Sequence, residues 1–180
     1  AKIEKRTYAK MPDGKHAATF DGKDWLLFSL PQGSKTNLTA SLPVKFFQEE
    51  WDTPSEPPAY GMVGWTKDSD ALLVRDRFDV WKLPTDGGKP VNLTRIGRET
   101  GIEFRPLPQP KDDEDEAEDR KGVDLAKPIL LAAENVRAHD TGFYRLEAGK
   151  APTRLIMEPR KFGNPVKAKN ADIYLLTASS

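Results

Sequence analysis

VWKLPTDGGKPVNLT, from Val80 to Thr94, sets an aromatic, a lysine and a leucine before a glycine-rich turn and closes on Asn-Leu-Thr. The same order stands upstream as FSLPQGSKTNLT (Phe28 to Thr39) and downstream as YRLEAGKAPTRLI (Tyr144 to Ile156). An internal repeat constrains a fold strongly, because each copy must bury the same face against its neighbours. Aligned together, the copies give one column of Phe28, Trp81 and Tyr144, a second of Leu30, Leu83 and Leu146, and a third of Leu38, Leu93 and Leu155. The first two columns are two residues apart, which places them on one face of a strand, with Ser29, Lys82 and Arg145 facing the other way. Gly and Pro in the connectors PQGSKT, PTDGGKPV and EAGKAPT supply positive or preset φ angles for a turn. Each copy reads as an antiparallel hairpin.

A second unit recurs before each hairpin. MPDGKHAATF (Met11 to Phe20), TKDSDALLVR (Thr66 to Arg75), LAKPILLAA (Leu125 to Ala133) and AKNADIYLLT (Ala168 to Thr177) each lead from a polar turn into an apolar run. Runs such as ALLV and ILLAA lack polar alternation, as in a strand covered on both faces. An interior strand followed by an outer hairpin predicts an all-β chain, a partial β-propeller of about three to four antiparallel blades, and 15 Pro with 13 Gly fit a chain full of turns. The blade units are expected at about 11–43, 61–105 and 123–158, with the start of the next at 162–180. Steps between copies exceed the roughly 40 to 50 residues of one four-stranded blade. Insertions at 44–60 and 106–122 account for the excess.

The 28 basic and 28 acidic side chains cancel, so no global field points to nucleic acid, and no apolar run approaches the roughly 20 residues of a membrane span. Zero cysteines exclude disulfides and thiolate metal sites without choosing a compartment. The chain opens with Ala1 and stops in TASS after a strand-like run, which reads as a piece of something longer. A three-and-a-fraction propeller leaves blade faces uncovered, so self-association through open blade edges is expected, around Thr19 to Leu30 and Ala171 to Thr177.

Pro12-Asp13-Gly14-Lys15 resembles the Ser-Pro-Asp-Gly-Lys turn of propellers in the prolyl oligopeptidase family of serine peptidases and in Tol-type periplasmic proteins. PPAYGMVGWTKDSDALLVRDRFDVWKLPTDGGKPVNLT (Pro57 to Thr94) is similar to the propeller region of bacterial peptidases of that family, of the dipeptidyl- and acylaminoacyl-peptidase kind. GFYRLEAGKAPTRLIM (Gly142 to Met157) looks like their following blade, and the likeness spans Thr19 to Ser179. It implies a propeller that caps an α/β-hydrolase domain and filters peptide substrate, in a periplasmic or secreted parent protein. The alternative is a Tol-like propeller scaffold that binds a protein or a glycan.

None of Ser29, Ser34, Ser41, Ser55, Ser69, Ser179 or Ser180 lies in the Gly-x-Ser-x-Gly context of a nucleophile elbow, so this segment is expected to carry no catalytic residue. His16 and His139 sit singly at turns and read as structural, and no cofactor or metal is expected. The candidate substrate-binding residues are Glu49 and Glu50, in FFQEEWDTP within the first insertion. The resemblance implies a glutamate pair that holds the free α-amino group of a peptide; the plainer reading is a solvated or locally paired loop. The acidic run DDEDEAED (Asp112 to Asp119) lacks the residue order of a calcium loop and reads as solvated. Asn37-Leu-Thr39 and Asn92-Leu-Thr94 fit the glycosylation sequon but fall at strand positions of the repeat, and Trp25, Trp65 and Trp81 read as packing residues.

Overall fold

The computed structural model describes residues 9–11, 13–110, 122–168, 171 and 173–179. Three four-stranded antiparallel meanders follow one another along the chain. The first joins β1 (Ala9–Lys10), β2 (His16–Phe20), β3 (Trp25–Ser29) and β4 (Lys35–Asn37). The second joins β5 (Gly61–Trp65), β6 (Ala71–Arg75), β7 (Val80–Pro84) and β8 (Val91–Asn92). A single helical turn, α1 (Gly97–Thr100), leads into the third sheet of β9 (Ile102–Pro106), β10 (Ile129–Asn135), β11 (Thr141–Leu146) and β12 (Thr153–Glu158). Beyond it β13 (Lys161–Phe162) pairs with β16 (Ala178–Ser179), and β14 (Val166–Lys167) pairs with β15 (Tyr174–Leu175). The fold is the all-β partial propeller that the repeat predicts, with three four-stranded blades, a nested hairpin after them and no closed ring among the described residues.

The blades stack through two successive apolar layers. Leu72 and Val74 of β6 lie opposite Leu83 and Trp81 of β7, and these four share one cluster with Trp25 and Leu27 of the first blade. Period-two alternation turns Val80 of β7 to the other side, into a cluster with Phe104, Leu131, Tyr144 and Leu146 of the third blade. The second blade is therefore covered on both faces, which is why ALLV carries no polar residue and is wholly buried. Burial of each such Leu or Val contributes about 1.5–3 kcal/mol. Ring contacts tighten the layers, Phe46 against Trp81 with centroids 6.2 Å apart and Phe104 against Tyr144 at 5.1 Å.

Three features of the repeat differ from the sequence reading. The hairpins between second and third strands close by backbone bonds from Asp21 N to Asp24 O, Asp76 N to Asp79 O and Asn135 N to Asp140 O. Counted from those closures, Leu26, Trp81 and Gly142 are equivalent, and Phe28, Leu83 and Tyr144 form the next column. The middle copy thus sits two residues from where its aromatic suggests, a slip that keeps every side chain on its face and leaves the hydrophobic pattern unchanged. Leu155 is not the partner of Leu38 and Leu93: the ladder between β11 and β12 jumps from Ile156 to Arg154, and the bypassed Leu155 is 52% exposed. Leu30, also expected on a core face, lies in a turn and is exposed.

The third blade begins earlier than 123. β9, whose residues 102–105 the sequence reading placed at the tail of the second unit and whose Pro106 it placed in the insertion, pairs with β10 as the first strand of the third sheet, so the second insertion interrupts that blade. The physical reason is the short α1 turn, which reverses the chain after β8 and delivers Ile102 and Phe104 into the second apolar layer. At the far end Val166, Ile173 and Leu175 are 64%, 66% and 67% exposed, while Thr19 and Leu26 in the first blade are buried.

Candidate functional site

The 44–60 insertion is an ordered loop anchored on the second blade. Phe46 is 1% exposed against Trp81, Phe47 bridges to Ala59, and backbone bonds run from Gln48 N to Pro58 O and from Tyr60 N to Phe46 O, each 2.9 Å. The loop closes on itself at its base and presents Glu49, Glu50 and Trp51 beyond it. Trp51 is exposed, and its indole N–H donates to the Ser55 carbonyl and hydroxyl at 3.2 Å.

The structure sends the two glutamates to different cations. Glu49 lies 3.6 Å from Lys45, and its backbone N–H donates to the Tyr60 hydroxyl at 3.0 Å. Glu50 Oε1 sits 2.7 Å from Arg77 Nη1, while Glu50 Oε2 meets no partner among the described residues. Arg77 reaches on to Glu103 at 3.2 Å, Glu103 to Arg105 at 3.4 Å, and Arg105 to Glu134 at 3.8 Å. A row of alternating charge thus runs from the loop across the second and third blades. Desolvation works to lower the Arg77 pKa, but hydrogen bonds to Glu103 and Glu50 outweigh it and hold the guanidinium above its ordinary value. Burial raises the Tyr60 phenol, so the hydroxyl keeps its proton and can donate it.

No known protein family, curated protein or solved structure matches the chain. The geometry of its own residues therefore carries the functional reading. Arg77, Glu103 and Tyr60 complete the candidate site and were not singled out from sequence; the only local signal for Arg77 is a long cation in a two-residue turn, DRFD, whose flanking aspartates close the hairpin. Phe78 of that turn is overlaid by Arg77 at 5.3 Å and by Arg98 at 5.1 Å from its ring centre.

The remaining expected residues lie elsewhere. His16 Nδ1 is 3.2 Å from Met11 Sδ, and His139 occupies a positive-φ position in the Asn135–Asp140 turn. Among the described residues no group of three or more His, Asp or Glu is gathered as metal ligands. The acidic run Asp112 to Asp119 falls outside the described residues. The sequon asparagines are hairpin latches: Asn37 Nδ2 donates to Asp24, and Asn92 Oδ1 accepts from Arg95 N at 2.8 Å.

Beside those latches lie two buried carboxylates that sequence reasoning missed. Asp79 accepts from the Thr94 hydroxyl at 2.5 Å and from the backbone N–H of Gly97 and Arg98 at 2.9 and 3.3 Å. Asp76 accepts from the N–H of Phe78 and Asp79 and from the Trp81 indole at 3.0 Å. Burial raises the Asp76 pKa, and those three donors with Arg98 pull against the rise. Both groups are satisfied internally and hold the blade together.

Proposed function

We propose that this chain is a non-catalytic β-propeller segment of a serine peptidase, positioning peptide substrate for an α/β-hydrolase domain, with Glu49 and Glu50 receiving the peptide's free amino group. The observation that carries the reading is the tip of the 44–60 loop: Glu50 is fixed through one oxygen to Arg77, its side chain is 77% exposed, and its second oxygen has no partner among the described residues. An ammonium carries three donors and seeks such lone pairs. Glu49, the neighbouring residue, adds a second carboxylate whose own partner Lys45 is distant and 58% exposed. The Tyr60 hydroxyl, with a proton to give, suits the first carbonyl of the same peptide. The meander blades support the reading as a rigid platform for the loop, and the PDGK and GMVGW segments support it as a resemblance.

The experiment is a calorimetric or NMR titration with Ala-Pro-Phe amide, its amino end free or acetylated. The reading expects the free-amine peptide to bind at least about tenfold more tightly, and Glu50→Gln to erase the difference. Equal binding of the two peptides contradicts it. Sequencing the gene beyond the codon for Ser180 tests the peptidase class, since a Gly-x-Ser-x-Gly segment followed by Asp and His is then expected.

A further inference from the structure

Arg75 is the other cation of this region, and its surroundings are unlike those of Arg77. It ends β6 opposite Gly61 of β5. Gly61 has φ 152°, and a Cβ there would lie 3.3 Å from Arg75 Nη2, so the glycine lets the guanidinium lie against the strand. Nη2 donates to Tyr60 O at 2.6 Å, and Nη1 reaches Phe104 O at 3.5 Å. These are neutral carbonyls, for a group with five N–H donors. No carboxylate of the described residues lies within ion-pair distance of it. The nearest acids are committed elsewhere, Glu103 to Arg77 and Arg105, Asp76 to the Asp79 turn, Trp81 and Arg98. Burial presses the Arg75 pKa down and Arg105 adds repulsion, yet an arginine stays charged at neutral pH.

This cation borders a cavity of ≈ 240 Å³ between the second and third blades. Apart from Gln109, the other described lining residues are apolar, among them Met62, Val63, Leu107, Val123 and Ile129. Gln109 at the rim is no competing partner, because both ends of its amide are bonded to the backbone of Asp124, at 2.8 and 2.9 Å. A partly buried cation whose partners among the described residues leave donors spare, beside an apolar cavity, favours an anion with an apolar body: the carboxylate completes the guanidinium's hydrogen bonding, and the body displaces water from the walls.

We propose that the Arg75 cavity is a binding site for a small apolar monocarboxylate, a carboxylate attached to one branched aliphatic group. It is distinct from the ammonium site on Glu49 and Glu50 and takes the opposite charge. Two sources share that chemistry, the C-terminal residue of a peptide and a free short-chain acid. Three probes separate them: N-acetyl-leucine, 4-methylvalerate and the uncharged N-acetyl-leucinamide.

The experiment follows the methyl resonances of Val63, Leu107 and Ile129 in the full chain. At least one acid is expected to saturate with a Kd of about 1 mM, as suits a ligand of so few atoms. The amide should bind at least about tenfold more weakly, Arg75→Met should remove the discrimination, and Arg75→Lys should keep part of it. Preference for N-acetyl-leucine assigns the site to peptide ends, and preference for 4-methylvalerate assigns it to free acids. Equal binding of acid and amide, or no saturable shift with any probe at about 20 mM, overturns the proposal and leaves Arg75 as a brace between blades. The comparison of acid with amide in the unmodified chain stands even if the Arg75 variants fail to fold.

Discussion

The first and second blades carry the same three residue types at the same spacing, Asp24, Asn37 and Thr39 in one and Asp79, Asn92 and Thr94 in the other. In both, the threonine hydroxyl donates to the aspartate, at 2.7 and 2.5 Å, and accepts from the N–H of the residue after it, Trp25 or Val80, at 3.1 Å. The difference is what else the aspartate holds. Asp24 is partly exposed and, among the described residues, adds only the Asn37 amide, whereas Asp79 is 2% exposed and adds the two N–H groups that open α1. One latch closes a hairpin. The other closes a hairpin and fixes the turn that starts the third blade.

That contrast can be broken most severely in the third blade, where Gly142 occupies the place of Leu26 and Trp81. A Cβ there would lie 2.0 Å from Ile156 O, so Gly142→Ala should cost at least about 3 kcal/mol in urea unfolding by forcing β11 from β12. Asp79→Ala strands three donors, two of them backbone N–H groups, and is expected to cost about 3 kcal/mol, against about 1 kcal/mol for Asp24→Ala. Equal losses for the two aspartates would erase the distinction drawn between the latches. Thr39→Val and Thr94→Val each orphan one buried N–H and should cost about 2 kcal/mol, alike within error because both threonines are buried.

Acid titration sharpens the comparison within the second blade. The Thr66 hydroxyl, then Lys82, lower the Asp70 pKa, so Asp70 contributes stability above its unfolded value of about 3.9 that is lost as pH falls through the lowered value. Asp76 has the opposite sign: its raised pKa makes a contribution that is present in acid and lost as pH rises through the raised value. Asp70→Asn should therefore flatten the acid limb of the stability curve below about pH 4, and Asp76→Asn the limb above about pH 4, both read by urea unfolding. The smallest effect belongs to Glu50→Gln, whose exposed pair with Arg77 should change stability by less than about 0.5 kcal/mol while altering peptide binding.

The hairpins of third and fourth strands were legible in the sequence because turn chemistry and period-two alternation are local. Register was not, since a two-residue slip around Trp81 preserves every face; the Asp, Asn and Thr spacing fixes it, and it becomes meaningful only once the hydroxyl is seen bridging carboxylate and backbone. β9 escaped because IEFRP is separated from β10 by the second insertion. Glu49 and Glu50 could be named from sequence, but Arg77, Glu103 and Tyr60 are brought to them by the stacking of two blades and the folding back of one loop, which no short window contains.

Amide hydrogen exchange read by mass spectrometry tests most directly whether the second sheet is an interior blade held between two others. Residues 71–75 should exchange slowest in the molecule, and β14 and β15, where Val166 and Leu175 are exposed, fastest among the strands. Protection of 71–75 no greater than that of β14 and β15 would contradict the stacked arrangement on which the loop, the cavity and both proposed sites depend.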